Sequence, residues 1–321
     1  MQNRLNEELH PDATLVCQMI VAANRPPLES LTPPEARQAY LATRKALQPD
    51  PEPVAEVANL EAAGPAGPIP LRLYRGAGAD KGELQPALVY FHGGGWVIGD
   101  LESHDQACRA LANAARCIVV AVDYRLAPEH KFPAAVEDAI AATRWIADHA
   151  RSLGIDARRL AVGGDSAGGN LAAVVSLDAR DRAGPPLVFQ LLVYPGTDMR
   201  MNRPSHLRHA DQLPLRRTTM HWFVGHYLRD TSDEADWRAS PLRAGSFRNL
   251  PPALVVTAGF DPLCDEGEAY VQALSGAGVP VSHERFGGQI HGFLNMGRIV
   301  ADAGRLVVLA GTALQAAFKT V

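Results

Sequence analysis

Four cysteines in 321 residues, Cys17, Cys108, Cys117 and Cys264, are too few for a disulfide framework, and none forms a C-x-x-C pair. They read as structural thiols. Lysine and arginine total 31 against 35 aspartates and glutamates, a formal charge of −4, and no basic block occurs. That balance argues against nucleic acid as a partner. No apolar run is long enough to cross a bilayer. The opening residues, Met1-Gln2-Asn3-Arg4-Leu5-Asn6-Glu7-Glu8, carry acids where a signal peptide carries lysines, and no apolar core follows directly. A cytoplasmic location is therefore expected. Internal repeats and low-complexity tracts are also missing. What remains, 47 % hydrophobic and 21 % charged residues, is the composition of a folded chain with ample core.

Continuous apolar runs at Ala87–Phe91, Cys117–Val122, Leu160–Gly163, Val188–Tyr194 and Leu254–Thr257 predict strands buried on both faces. Before them, Val54–Leu60 and Leu71–Tyr74 alternate apolar and polar residues across a Gly/Pro-rich connection suited to a hairpin. Ala79-Asp80-Lys81-Gly82 is a turn, and Val279–Phe286 is a last, alternating strand. Between the strands, helices are expected at Asp105–Ala115, Pro133–His149, Asn170–Arg182 and Asp265–Gly276, with a final one at about Val300–Lys319. Alternation at this spacing predicts an α/β fold: a doubly wound, mostly parallel sheet of about eight strands flanked by helices.

Two segments stand outside that alternation. Residues 1–50 show helical periodicity at Leu15, Met19, Ile20 and Ala23 and, past Pro26-Pro27, at Ala36, Ala39, Tyr40 and Leu47. Thr32-Pro33-Pro34-Glu35 has the form of a helix N-terminus with proline in the first turn. Residues 199–240, rich in His, Arg, Trp and Met, include a helix at Arg216–Arg229. An insertion at the C-terminal edge of a parallel sheet sits where ligands bind. The two segments together are expected to form a helical cap on a main domain spanning 51–321.

The chemistry centres on Gly164-Asp165-Ser166-Ala167-Gly168. An apolar run precedes it and a small-residue helix follows, so Ser166 tops a sharp strand-to-helix turn. A serine in that position has unfavourable backbone angles, and glycines two residues away on either side relieve the crowding. The helix aims its N-terminal N–H groups at whatever the serine attacks, which suits a developing oxyanion. A lone G-x-S-x-G is weak, so its setting matters. His92-Gly93-Gly94-Gly95-Trp96 follows directly on a buried strand, with bare N–H groups free to turn toward a ligand. It is not a phosphate loop, since no lysine follows and no G-x-G-x-x-G is present. An HGGG-type loop supplies oxyanion donors in serine hydrolases.

Serine needs a base. Of eleven histidines, His92 belongs to the glycine loop, His149 to a helix, His283 to a strand, and His206, His209, His221 and His226 to the insertion. His10, His104 and His130 precede the serine in positions that suggest no base. His291, on a glycine-flanked loop past the last strand, can reach Ser166. The base in turn needs an orienting acid. Asp198 and Asp261 both sit just past strand ends, and position favours Asp261, on the strand preceding that of the histidine. The order Ser166, Asp261, His291 matches the α/β-hydrolases and neither the chymotrypsin nor the subtilisin arrangement.

These residues resemble the hormone-sensitive-lipase family of α/β-hydrolases, the bacterial family IV esterases of GDSAG type. The resemblance covers about residues 86–295. It is carried by the glycine loop, the serine turn through Asn170, Asp123-Tyr124-Arg125-Leu126-Ala127-Pro128-Glu129, Ser240-Pro241-Leu242, Asp261-Pro262-Leu263-Cys264-Asp265-Glu266-Gly267 and His291-Gly292-Phe293. It implies a carboxylesterase acting on short- to medium-chain acyl esters, with Ser166 as nucleophile, Asp261 as acid and His291 as base. The backbone N–H groups of Gly93, Gly94 and Ala167 would be the oxyanion donors, and no cofactor or metal is required. Family members often pair as homodimers through the last strand. An amide-cleaving deacetylase or a lactonase would use the same residues. The related gibberellin receptors bind without catalysis but lack the histidine. Trp96, Trp222, Phe223 and Phe293 are candidates for the substrate pocket.

Overall fold

The computed structural model describes residues 8–77 and 83–320; residues 1–7 and the expected turn at Ala79–Gly82 lie outside the described residues. The chain begins with α1 (Pro11–Ala22) and α2 (Pro33–Leu47). At the start of α2 the backbone N–H and hydroxyl of Thr32 both donate to Glu35 Oε2, at 2.9 and 2.6 Å, which fixes the predicted helix start. Arg37 ties α2 to the body. Its guanidinium donates to the carbonyls of Val97 and Ala127, each at 2.9 Å, and to both oxygens of Glu129.

The hairpin β1 (Glu56–Gly64) and β2 (Gly67–Arg75) follows, then β3 (Gln85–Phe91), α3 (Asp105–Ala115), β4 (Ile118–Val122) and α4 (Ala134–Asp148). Next come β5 (Ile155–Asp165), α5 (Ala167–Asp181) and β6 (Leu187–Val193). After the short α6 (Pro204–Arg208) and α7 (Arg217–Tyr227), the chain resumes its alternation with β7 (Ala253–Phe260), α8 (Cys264–Gly276), β8 (Val281–Ile290) and α9 (Asp302–Phe318).

All eight strands join one sheet in the order β1-β2-β4-β3-β5-β6-β7-β8. β2 pairs antiparallel with both β1 and β4, and every pair from β4 onward is parallel. The alternating stretches lie at the two ends of the sheet, in β1, β2 and β8, because those strands are half exposed. The central parallel strands carry unbroken apolar runs because helices cover both their faces. α4, α5 and α8 contribute to the core on one face, and α3 and α9 to the core on the other. α5 is buried along most of its length, which its small residues permit. β5 is longer than its apolar run predicts: Ile155 already pairs with Gln85, five residues ahead of Leu160. Arg158 and Arg159 interrupt the hydrophobic pattern there, turning outward to Asp156.

Cys108, Cys117 and Cys264 are buried free thiols and Cys17 is half-buried. Burial pushes the Cys117 thiol up to about 12, so it is inert at neutral pH. Among the described residues, no helix is long and apolar enough to cross a membrane.

Candidate active site

Ser166 stands between the end of β5 and the start of α5 with φ 57° and ψ −116°, in the positive-φ region that side chains with a Cβ avoid. The glycines of the motif make that turn feasible. A Cβ at Gly164 would collide with the backbone of Gly168 and Phe91, and one at Gly168 would run into the Phe91 carbonyl. The backbone thus crosses itself at van der Waals contact directly beneath the serine.

Three side chains distant in sequence meet at this turn. His291 Nε2 lies 2.9 Å from Ser166 Oγ, and His291 Nδ1 lies 2.7 Å from Asp261 Oδ2. Asp261 is fully buried, and its other oxygen accepts the Leu263 N–H at 2.8 Å. The acid therefore faces the imidazole in one orientation. Asp198 is engaged elsewhere: both its oxygens accept from the Arg200 guanidinium, at 3.0 and 2.6 Å. Asp261 and His291 follow the adjacent strands β7 and β8, and Ser166 follows β5, so the spacing of the three groups is set by the sheet.

The glycine loop after β3 lies alongside, with Gly94 at φ +125° and Gly95 at φ +59°. Here the structure corrects one expectation. The Gly93 N–H donates to Asp165 Oδ1 at 3.0 Å, with His104 Nε2 at 3.3 Å. A donor used inside the protein is not available to an oxyanion. Gly94, Gly95 and Ala167 line the cavity in front of Ser166, whereas Gly93 does not. Sequence reasoning set the donors one residue too early, since nothing in a run of three glycines says which N–H points inward.

Behind the loop lies a buried polar cluster. Asp165 also accepts the Tyr90 hydroxyl at 2.8 Å and lies 3.3 Å from His104. Burial works against the charged carboxylate, but the field of His104, hydrogen bonds from His104 and Tyr90, and the field of Arg44 hold Asp165 at about 2. His92 is stacked on Tyr124, ring centres 4.3 Å apart. Burial first, and then the neighbouring His104, push His92 down to about 4, so it is a neutral ring. His104, which suggested no role as a base, is instead part of the scaffold beneath the loop. Only its contact with Asp165 reveals that.

A cavity of about 620 Å³ opens in front of Ser166 and His291. Its walls come from α1, the 23–31 connection and α2 on one side and from residues 196–224 on the other. Trp96 and Phe223 line it, Trp96 stacked on Tyr227 at 4.4 Å. Trp222 and Phe293 do not, contrary to expectation. Phe293 is fully buried in the core, against Phe286 and Tyr194. Trp222, next to Phe223 on α7, stands edge-on to His226. Adjacent helix positions differ by about 100°, so only one of the pair faces inward.

A doubly wound sheet with a serine on a strained strand-to-helix turn, a histidine and aspartate past later strands and a glycine loop beside them defines an α/β-hydrolase. The model of the alpha/beta hydrolase fold family matches residues 88–295, and the chain belongs to that family, in its hormone-sensitive-lipase branch. It is 47 % identical over 267 residues to the carboxylic ester hydrolase LipN of Mycobacterium tuberculosis, covering 81 % of this chain and 70 % of that one. With the ethyl acetate hydrolase of Pseudomonas putida it shares 39 % identity over 320 residues, 96 % and 98 % of the two chains. Among solved structures, the Ser161Ala mutant of LAE6, an α/β hydrolase enzyme from the metagenome of Lake Arreo, superposes with a TM-score of 0.94. It is 44 % identical, over 97 % of this chain and 99 % of that one.

Proposed function

We propose that the protein is a carboxylic ester hydrolase that cleaves short- to medium-chain acyl esters through an acyl-enzyme on Ser166. One observation carries the reading: a single imidazole, His291, is within hydrogen-bond reach of both the Ser166 hydroxyl and the buried Asp261 carboxylate. In this reading His291 Nε2 takes the Ser166 proton as Oγ attacks the ester carbonyl. The Asp261 carboxylate fixes the ring tautomer and stabilises the imidazolium. The carbonyl oxygen becomes an oxyanion and accepts from the N–H groups of Gly94, Gly95 and Ala167, each worth roughly 3 kcal/mol of barrier. Collapse expels the alcohol, which leaves with the proton from His291. Water, deprotonated by the same imidazole, then attacks the acyl-enzyme and releases the acid.

The N-terminal helices and the 199–240 insertion act as a cap whose residues shape the pocket. The relatives' names, carboxylic ester hydrolase and ethyl acetate hydrolase, support the substrate class. The test is hydrolysis of p-nitrophenyl acyl esters of increasing chain length by the native chain and by Ser166→Ala. The native chain should favour short and medium acyl groups, and the variant should lose turnover while keeping its circular dichroism spectrum. Full activity in Ser166→Ala would end the nucleophile assignment.

A further inference from the structure

The cavity contains a buried guanidinium that no carboxylate meets at hydrogen-bond distance among the described residues. Arg44, on α2, is 8 % exposed, and its Nε and Nη1 are buried without a hydrogen-bond partner. The guanidinium carbon stands 4.5 Å from the centre of the Tyr40 ring. Among the described residues no carboxylate is ion-paired with it, although four carboxylates line the cavity. Each of those is hydrogen-bonded elsewhere, although Asp165 feels the Arg44 charge through space. Asp165 is held by Tyr90, Gly93 and His104, Asp198 by Arg200, Glu266 by His206 and Glu29 by Thr218 and Thr219. A guanidinium withdrawn from water without a directly bonded counter-charge is costly, and an anion arriving in the cavity would offset that cost.

Its position says which part of a substrate it would meet. Arg44 packs on Gly292, the residue after His291: a Cβ at Gly292 would lie 3.3 Å from Arg44 Nη2 and 3.6 Å from Met296 Cε. The leaving oxygen of an ester has to face His291 Nε2 to receive its proton, while the carbonyl oxygen faces Gly94, Gly95 and Ala167. The alcohol portion is therefore on the His291 side, which is the Arg44 side. Leu47 and Met296, both lining the cavity, give this end apolar walls, in which a charge-assisted hydrogen bond is strong.

We infer that the site selects esters whose alcohol portion carries a carboxylate a few bonds from the scissile oxygen, that is O-acyl hydroxy acids, and that Arg44 binds that carboxylate. The inference rests on the hydrolase reading above for the orientation of the ester. Arg44 acts here on specificity and takes no part in bond making.

Two measurements test it on the full chain. The first is kcat/KM for 2-acetoxypropanoate and for its uncharged counterpart 2-acetoxypropanamide. The native chain should favour the anion, and in Arg44→Met the anion-to-amide ratio should fall by about tenfold to a hundredfold, the size of a lost charge-assisted hydrogen bond. Arg44→Lys should restore part of that ratio, since it keeps the charge and loses the planar fork. The second is calorimetric binding of 3-phenylpropanoate, which is not an ester, to Ser166→Ala with and without Arg44→Met. The added substitution should weaken binding at least tenfold. A residue that merely braced α2 would depress both substrates alike, so an unmoved ratio overturns the inference. So does 3-phenylpropanoate binding that ignores Arg44, or that cannot be detected at all. If neither ester is cleaved while carboxylate binding still depends on Arg44, the hydrolase reading fails and the carboxylate site stands.

Discussion

Asp165 Oδ1 sits 3.0 Å from the backbone nitrogen of Gly93, so the residue just before the serine clamps the glycine loop that faces it. The two halves of the site are thereby held in register by one buried carboxylate. Asp165→Ala should leave the Tyr90 hydroxyl, the Gly93 N–H and His104 without their shared acceptor. We expect a loss of about 3–5 kcal/mol in stability, typical of breaking a buried charged network, and a fall in kcat beyond that of a distant core mutation. Urea unfolding together with p-nitrophenyl acetate kinetics measures both. Normal kcat in a folded Asp165→Ala would show that the loop holds its place without the clamp.

The two candidate acids have different partners and should behave differently. Asp261→Asn should lower kcat by about ten-thousandfold, as expected when the tautomer of a catalytic histidine is no longer fixed. Asp198→Asn weakens a pair with Arg200 and should leave kcat within about tenfold of native. Parallel kinetics on the two variants decide the matter, and the reverse ranking would move the acid role to Asp198.

Neighbouring residues on α7 provide a test of the cavity wall. Phe223 lines the cavity against Gly95, where a Cβ would collide with its ring. Phe223→Ala should lengthen the preferred acyl or alcohol chain, each additional buried CH2 bringing about 0.8 kcal/mol, roughly fourfold in kcat/KM. Trp222→Ala should leave the chain-length profile where it is. A p-nitrophenyl ester series run on both variants gives the comparison directly, and identical profiles would remove Phe223 from the wall.

His92 predicts a pH dependence of stability. Burial and the nearby His104 depress it to about 4 in the folded chain, against about 6.5 for a free histidine. Between those values the unfolded chain binds the proton and the folded chain does not, so stability rises with pH across that window. Lowering the pH from 7 to 4.5 should therefore cost roughly 2 kcal/mol from this residue. Asp165, held at about 2, loses its contribution only as the pH falls from about 3.8 toward 2, so it does not confuse the measurement. Chemical unfolding at a series of pH values should show the slope in the native chain and a shallower one in His92→Asn.

Much of this molecule is legible in its residues because its features are local or periodic. The buried strands announce themselves as apolar runs, α2 by Thr32 and Glu35, and the serine turn by Gly164 and Gly168. What escaped is what depends on contact across the chain. The inward-facing members of the glycine loop are chosen by Asp165, 72 residues beyond Gly93. Phe293 sits beside a proposed base in sequence, but the turn after β8 buries it against Phe286 and Tyr194. Arg44 looks like any helical surface arginine until its neighbours are known, and His104 like a spare histidine until Asp165 is found beside it.

Ser166, Asp261 and His291 follow the ends of strands of the sheet, while most of the cavity wall belongs to segments outside it. In the function proposed above, chemistry and selectivity are therefore encoded in separate stretches of chain. Residues 11–47 and 199–224 are in effect an exchangeable mould, and transplanting the corresponding stretches from a relative should re-cut the shape of what is accepted without retuning the machinery beneath.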